Sequence, residues 1–371
     1  MRTDDSVKIC CVVSSLGTGG AERVISLLAN QWAARGRSVT LVTLASTDKD
    51  VYDLHPRVAR IGLNVERESR SPARAIINNV RKVQALRRAV VSIGPDVVVT
   101  FVDKVNVITL LSCMALGVPV VISERVHPTH HDIGTAWSLL RRVAYPRADA
   151  LVVQAEAMRP WAESVMPARR THVIPNPVSD RFSSDQGRVT TPRNPTVLGV
   201  GRLVLQKGFD LLIKAFHAVT ERHPEWSLVI VGQGPKEAEL RDLAARLLPH
   251  GSVVFAGAVK DLERYYRAAG LFVLSSRFEG FPNALLEAMA SGCAVIASDA
   301  PGGTSEIVQD GLDGILVPPE NVGALAREMD RLMSDADERV RLGARAVEVS
   351  NRFAVDRVLA RWEDLISEVR R

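Results

Sequence analysis

Short apolar runs recur along the chain, each leading into a loop and then into a longer segment whose apolar positions return every three to four residues. In the first half the runs fall at 7–13, 38–44, 96–101, 118–123 and 150–153. In the second they fall at 196–200, 227–231, 252–255, 271–274, 294–297 and 314–317. Because the runs are largely continuous rather than alternating, they suit strands buried on both faces of a parallel sheet, with crossover helices between them. The pattern predicts an α/β protein. It falters at 176–195, a stretch rich in Pro, Ser, Asp and Arg that reads as an interdomain linker. A chain of 371 residues also exceeds what one core comfortably serves. Two domains are expected, 1–178 and 179–352. The tail that follows, 353–371, carries apolar Val358, Leu359, Trp362, Leu365, Ile366 and Val369, which need a surface to pack on.

Ligands of open α/β sheets bind in loops at the carboxyl ends of the strands. After the run at 271–274 comes Glu279-Gly-Phe-Pro-Asn-Ala-Leu-Leu-Glu287, then Ser291-Gly292 as a helix stop. Glu279 is expected on the loop and Glu287 in the first turns of the helix. Asn283 is a good N-cap, and the N–H groups behind it suit an anion. On residue type alone, Glu279 fits a solvated loop charge equally well, and Glu287 a carboxylate favoured by the helix dipole. A second loop, after the run at 196–200, carries Gly201-Arg202-Leu203 and Lys207-Gly208. Arginine offers a forked donor and lysine a mobile point charge, a pairing suited to a diphosphate.

With Val231-Gly-Gln-Gly234-Pro, Phe255-Ala-Gly257-Ala-Val259 and Pro301-Gly302-Gly303-Thr-Ser-Glu306-Ile, these motifs resemble in type and order the donor site of retaining family 4 glycosyltransferases. The resemblance covers nearly the whole chain. It implies the GT-B fold, two facing Rossmann-like domains with a cleft between them, the first on the acceptor side and the second binding a nucleotide-diphospho-sugar. It also implies that the last helix crosses back onto the first domain, although periodicity alone equally lets that helix cap its own domain. By the resemblance Glu279 holds donor sugar hydroxyls, Glu287 the ribose, Arg202 and Lys207 the diphosphate, and backbone N–H groups around Phe281, Asn283, Ala284 and Leu285 the distal phosphate. Val259 is placed against the base. The expected reaction moves a hexose or N-acetylhexosamine from a UDP-sugar with retention, needs no metal or other cofactor, and uses no protein nucleophile. A nucleotide-sugar 2-epimerase on the same fold and a non-enzymatic membrane scaffold are the alternatives.

In the first half, Ser14-Ser-Leu-Gly17-Thr-Gly19-Gly20-Ala21-Glu22-Arg23 leads into a helix expected at 24–34. A dinucleotide fingerprint needs glycine where Glu22 stands, and a P-loop needs Gly-Lys-Ser/Thr. What remains is a turn that lets backbone approach an anion, with Gly19 and Gly20 as candidates, or a tight turn without a ligand. The resemblance places the donor diphosphate against this loop. Ser123-Glu124-Arg125 follows another strand and is similar to the subgroup acting on polyprenyl-diphosphate-linked glycans. Relatives have a histidine near Ser123 or Glu124, which makes Glu124 and His127 the candidates beside the transferred sugar. By ligand type His127, His130, His131 and Asp132 suit zinc. The cationic phosphate site leaves such an ion without a role.

Charge separates the halves. Residues 1–180 carry 23 Lys/Arg against 16 Asp/Glu, whereas residues 181–371 carry 24 against 26. The excess centres on 66–88, where Arg67, Arg70, Arg74, Arg81, Lys82, Arg87 and Arg88 face only Glu66 and Glu68. Within a helical pattern over 72–91, Arg74, Arg81 and Arg88 form a seven-residue repeat beside apolar Ala73, Ile76, Ile77, Val80, Val83, Leu86 and Val90. The stripe suits an acceptor's diphosphate, an anionic leaflet, or plain solvent. Nucleic acid is disfavoured because no aromatic residue lies in 72–91 to stack on a base. No apolar run approaches the length of a membrane span, no secretory leader opens the chain, and the four cysteines form no disulfide or metal pattern. A reduced, cytoplasmic protein, peripheral at the inner face of the plasma membrane, is the expectation.

Overall fold

The computed structural model describes residues 7–67, 71–182 and 193–371. Residues 1–6, Glu68 and Arg70 of the basic cluster, and 183–192 of the expected linker lie outside these. The chain divides into two compact units, Met1–Asn176 with Asp356–Arg371, and Pro177–Val355.

The first unit runs β1 (Lys8–Val13), α1 (Gly20–Ala34), β2 (Ser38–Thr43), β3 (Val58–Gly62), α2 (Pro72–Ile93), β4 (Val97–Phe101), α3 (Asp103–Cys113), β5 (Val120–Ser123), α4 (Thr135–Ala144), β6 (Ala150–Val153), α5 (Arg159–Val165) and β7 (Thr171–Val173). Its strands form a parallel sheet in the order β3-β2-β1-β4-β5-β6-β7. The order reverses between β1 and β4, which makes their loops the switch point. Two edge strands escaped the sequence pattern. β7 has only three residues, and β3 is interrupted by Arg60, whose guanidinium turns back to Asp50 at 2.8 Å and to Thr43 Oγ1 at 2.7 Å.

The second unit runs β8 (Asn194–Val200), α6 (Phe209–Thr220), β9 (Ser227–Val231), α7 (Glu237–Leu247), β10 (Val253–Gly257), α8 (Leu262–Ala268), β11 (Ala269–Leu274), α9 (Asn283–Ala290), β12 (Val295–Ser298), α10 (Thr304–Ile307), β13 (Ile315–Val317), α11 (Val322–Ser334), α12 (Ala336–Ala346) and α13 (Val349–Arg352). Its parallel sheet has the order β10-β9-β8-β11-β12-β13, with the reversal between β8 and β11.

The closing helix α14 (Val355–Val369) places Val358, Leu359, Trp362, Leu365 and Ile366 in the core of the first unit. There the Trp362 ring meets Trp32 edge-on at 6.4 Å and Phe101 at 5.8 Å. Trp362→Ala should therefore cost about 3–5 kcal/mol in the unfolding transition of this unit, read by denaturant titration. All four cysteines are buried and free. Burial pushes the Cys11 and Cys113 thiols up to about 12, so they pack as small apolar side chains.

Candidate active site

At the switch point of the second unit, the loops leaving β8 and β11 are bonded to each other. The Arg277 amide donates to Gln206 O at 2.8 Å, Gln206 Nε2 to Phe278 O at 3.0 Å, and Ser275 Oγ to Lys207 O at 3.1 Å. The Arg277 guanidinium locks this seam with two 2.8 Å bonds to the Asp210 carboxylate, and it also reaches Leu205 O and Glu320. Burial alone would raise the Asp210 carboxyl, but the hydrogen bonds and charge of Arg277 outweigh it and hold Asp210 below the usual range. Gly208, at φ +63°, sits where the loops touch. A Cβ there would fall 2.0 Å from Ser275 O.

The seam brings together two residues that the motifs had assigned separately. Lys207 Nζ donates to Glu279 Oε1 at 2.6 Å, and Ser276 Oγ donates to the same oxygen at 2.6 Å. Oε2 lies outside both bonds. Glu279 is buried, and a buried carboxylate requires such partners. Arg202 is exposed and makes no side-chain hydrogen bond or ion pair among the described residues.

Two expectations for α9 need correction. Its N-cap is Pro282 in extended geometry, and Asn283, expected as the cap, is the first helical residue. The Leu285 N–H, expected to face a phosphate, donates to Pro282 O at 3.1 Å. Asn283 and Ala284 stay half-buried in the first turn, while the buried Phe281 ring lies so close to Gly303 that a Cβ there would fall 2.3 Å from it. Further along the helix the buried Glu287 accepts from Tyr266 Oη of α8 at 3.1 Å. Val259 is half-buried in the loop after β10.

In the first unit α1 begins at Gly20, four residues before the expected start, with Gly19 as N-cap. The Glu22 carboxylate folds back over this end, so that a Cβ on Gly19 would lie 1.9 Å from Glu22 Oε2. The N-terminus expected to take a diphosphate therefore already carries an anion, which a ligand at Gly19 and Gly20 has to displace.

Beyond β5 a buried polar cluster surrounds Glu124. Tyr145 Oη donates to Glu124 Oε1 at 2.6 Å, Asn106 Nδ2 donates to Tyr145 Oη at 3.2 Å and to Ser123 O at 3.0 Å, and Arg141 approaches Glu124 at 3.7 Å. Burial pushes the Glu124 carboxyl up to about 7, with the charge of Asp103 adding, while the Tyr145 bond and Arg141 pull it back. A raised folded-state value favours the protonated form. The wild type should therefore lose stability as pH climbs from about 4.5 to about 7. Glu124→Gln removes that titration, so its stability relative to wild type should rise across this window in denaturant titrations at several pH values. A parallel pair of curves would show that Glu124 does not titrate there.

Next to it the buried Arg125 guanidinium stacks on Phe101 at 4.2 Å and donates to Asn176 Oδ1, which Gln154 Nε2 also reaches at 2.7 Å. Tyr145, Asn106, Gln154 and Asn176 carried no spacing that marked them. The half-buried His127 pairs with Thr129 Oγ1 at 2.9 Å and packs on His130, while His131 turns to Asp103 at 3.4 Å. Glu124 and His127 thus take different partners. Among the described residues no three His, Cys, Asp or Glu side chains are arranged to hold a metal ion.

Helix α2 starts at Ser71-Pro72, whose serine Oγ accepts from the Arg74 amide, and it stops at the left-handed Gly94. Arg74, Arg81 and Arg88 are exposed. The apolar face is not the expected one: Ile76, Ile77 and Val80 face solvent, and Asn78, Leu86 and Val90 are buried. At about 100° per residue these two sets point about 135° apart around the helix, and Arg87 bonds Ser112 O and Met114 O at the end of α3. Asn64, Val65, Arg67, Asn78 and Arg81 line a cavity of about 210 Å³.

Comparison with known sequences gives two family matches, "Glycosyl transferase 4-like domain" over residues 19–177 and "Glycosyl transferases group 1" over residues 181–349. The chain belongs to the family 4 glycosyltransferases. One relative of this family member is the GalNAc-alpha-(1->4)-GalNAc-alpha-(1->3)-diNAcBac-PP-undecaprenol alpha-1,4-N-acetyl-D-galactosaminyltransferase of Campylobacter jejuni, 28% identical over 98% of this chain and 99% of that one. Another is an exopolysaccharide phosphotransferase of Streptomyces coelicolor, 35% identical over 76% of this chain but only 30% of that protein's own length. The structure of sucrose-phosphate synthase from Thermosynechococcus elongatus superposes with a TM-score of 0.84 over 98% of this chain and 99% of that one, at 22% identity. That likeness establishes the GT-B fold for this glycosyltransferase. In its second unit the Lys207–Glu279 pair at the β8/β11 switch point joins residues that lie 72 positions apart in the sequence.

Proposed function

We propose that this glycosyltransferase moves a hexose or N-acetylhexosamine from a UDP-sugar to a polyprenyl-diphosphate-linked glycan, with retention at the anomeric carbon, during assembly of a cell-surface polysaccharide or protein-linked glycan at the inner face of the plasma membrane. The observation that carries this reading is the seam at the β8/β11 switch point. It places a buried carboxylate, an ammonium ion, the unpaired Arg202 and the first turn of α9 on neighbouring loops. Arg202 and Lys207 neutralise the departing diphosphate, and Glu279 accepts from sugar hydroxyls. The acceptor hydroxyl attacks on the face that the phosphate leaves, and its proton passes to the departing phosphate oxygen, so no protein nucleophile takes part. Charge stabilisation of the leaving group supplies much of the rate enhancement, and no metal is required. The lipid-linked acceptor is supported by the undecaprenol-linked acceptor in the name of the Campylobacter jejuni relative and by the arginines of α2.

The test incubates purified protein with UDP-sugars and a polyprenyl-diphosphate glycan, with and without EDTA. Transfer yields UDP and a longer glycan in both arms. A new sugar nucleotide instead would mark an epimerase, and no turnover with any donor would mark a scaffold. Loss of activity under chelation, restored by manganese or zinc, would return a metal to the mechanism.

A further inference from the structure

Helix α4 turns its apolar stripe outward. Ala136, Leu139, Leu140 and Val143 share an arc of about 100°, the kind of stripe a surface helix normally buries. Here the inward face consists of Trp137, Arg141 and Ala144, with the Arg141 guanidinium stacked on Trp161 at 5.1 Å and approaching Glu124 at 3.7 Å. Leu139 is 63% exposed, Val143 54% and Leu140 42%, beside the exposed Arg142. The same helical layer repeats the arrangement. α3 packs against both α2 and α4, and α2 exposes Ile76 (65%), Ile77 (51%) and Val80 (48%) next to Arg74 and Arg81. Contiguous exposed apolar surface of this kind marks an interaction face.

Charge selects the occupant. Neither α2 nor α4 contains an aspartate or glutamate, while between them they carry Arg74, Arg81, Lys82, Arg87, Arg88, Arg141 and Arg142. Two copies of such a face repel, whereas an anionic bilayer offers phosphate headgroups to the arginines and an acyl boundary to the leucines. We propose that α4, with the first half of α2, is a lipid-docking surface in which Leu139, Leu140 and Val143 enter the bilayer boundary and Arg74, Arg81 and Arg142 meet the headgroups. Its purpose rests on the reading of a lipid-borne acceptor, and the experiment separates the two.

Wild type and Leu139→Ser/Leu140→Ser/Val143→Ser are sedimented with acceptor-free vesicles of phosphatidylglycerol or phosphatidylcholine, and both are assayed for transfer to a lipid-free oligosaccharide. Wild type should bind the anionic vesicles selectively. The triple variant should bind them about tenfold more weakly or worse while transfer to the lipid-free oligosaccharide stays unchanged. Leu139→Asp, a single exposed change, should show the same loss with unaltered thermal unfolding. Equal vesicle binding by wild type and both variants would overturn the proposal. So would a wild-type dimer that the triple substitution dissolves, which would make this face a protein interface. If vesicle binding behaves as stated and no transfer occurs to any glycan, docking stands and the acceptor reading falls.

Discussion

Lys207→Ala and Arg202→Ala should each lower turnover about a hundredfold or more, and only the first should also lower stability. Both cations are assigned to charge that appears on the leaving diphosphate, so their removal acts on the transition state. Their ground states differ. Arg202 is exposed and makes no ion pair among the described residues, so its loss leaves nothing behind. Lys207 holds Glu279 at 2.6 Å, and its removal leaves a buried carboxylate with the Ser276 hydroxyl as its remaining donor. A cost of about 1–3 kcal/mol is expected for that unpaired charge, visible as a lower melting temperature. Steady-state kinetics with a UDP-sugar, alongside thermal unfolding, reads both effects. Turnover within about twofold of wild type for both variants would remove these residues from the donor site.

The parts of this architecture written in local pattern were legible. Continuous apolar runs marked the buried strands, and the order strand, loop, helix around Glu279–Glu287 located the switch-point loop of the second unit. What the pattern missed depends on partners distant in sequence. β3 escaped because Arg60 breaks its apolar run, and only the fold supplies the Asp50 carboxylate that makes arginine tolerable there. Nothing in the sequence pattern marked Arg277, yet it ties the β11 loop to Asp210, 67 residues away. The amphipathic stripe of α2 was visible as a stripe, whereas that of α4 was not singled out. Periodicity cannot say which way a stripe points, and in both helices arginines bonded to neighbouring groups help fix the inward face. At Gly19 and Gly20 glycine content suggested an anion site, but the side chain of Glu22 three residues on had no visible direction in the sequence.

Glu279→Gln tests the other half of the central ion pair, and its kinetic effect should match that of Lys207→Ala with less damage to the fold. The amide oxygen of glutamine can still accept from Lys207 Nζ and Ser276 Oγ, which both reach Oε1 in the wild type. What disappears is the negative charge. Bonds from sugar hydroxyls to a carboxylate are stronger than those to an amide, and hydrogen bonds to charged groups contribute about 1.5–3 kcal/mol each. Losing that difference at one or two hydroxyls lowers turnover about a hundredfold. The double variant Lys207→Ala/Glu279→Gln distinguishes a working pair from two independent contacts. Residues in direct contact couple, so its loss should fall short of the product of the single losses, with thermal stability partly recovered because no buried carboxylate remains uncompensated. Strict multiplication of the two single effects, with no recovery of stability, would mean that the 2.6 Å bond is incidental and that Lys207 and Glu279 serve donor binding separately.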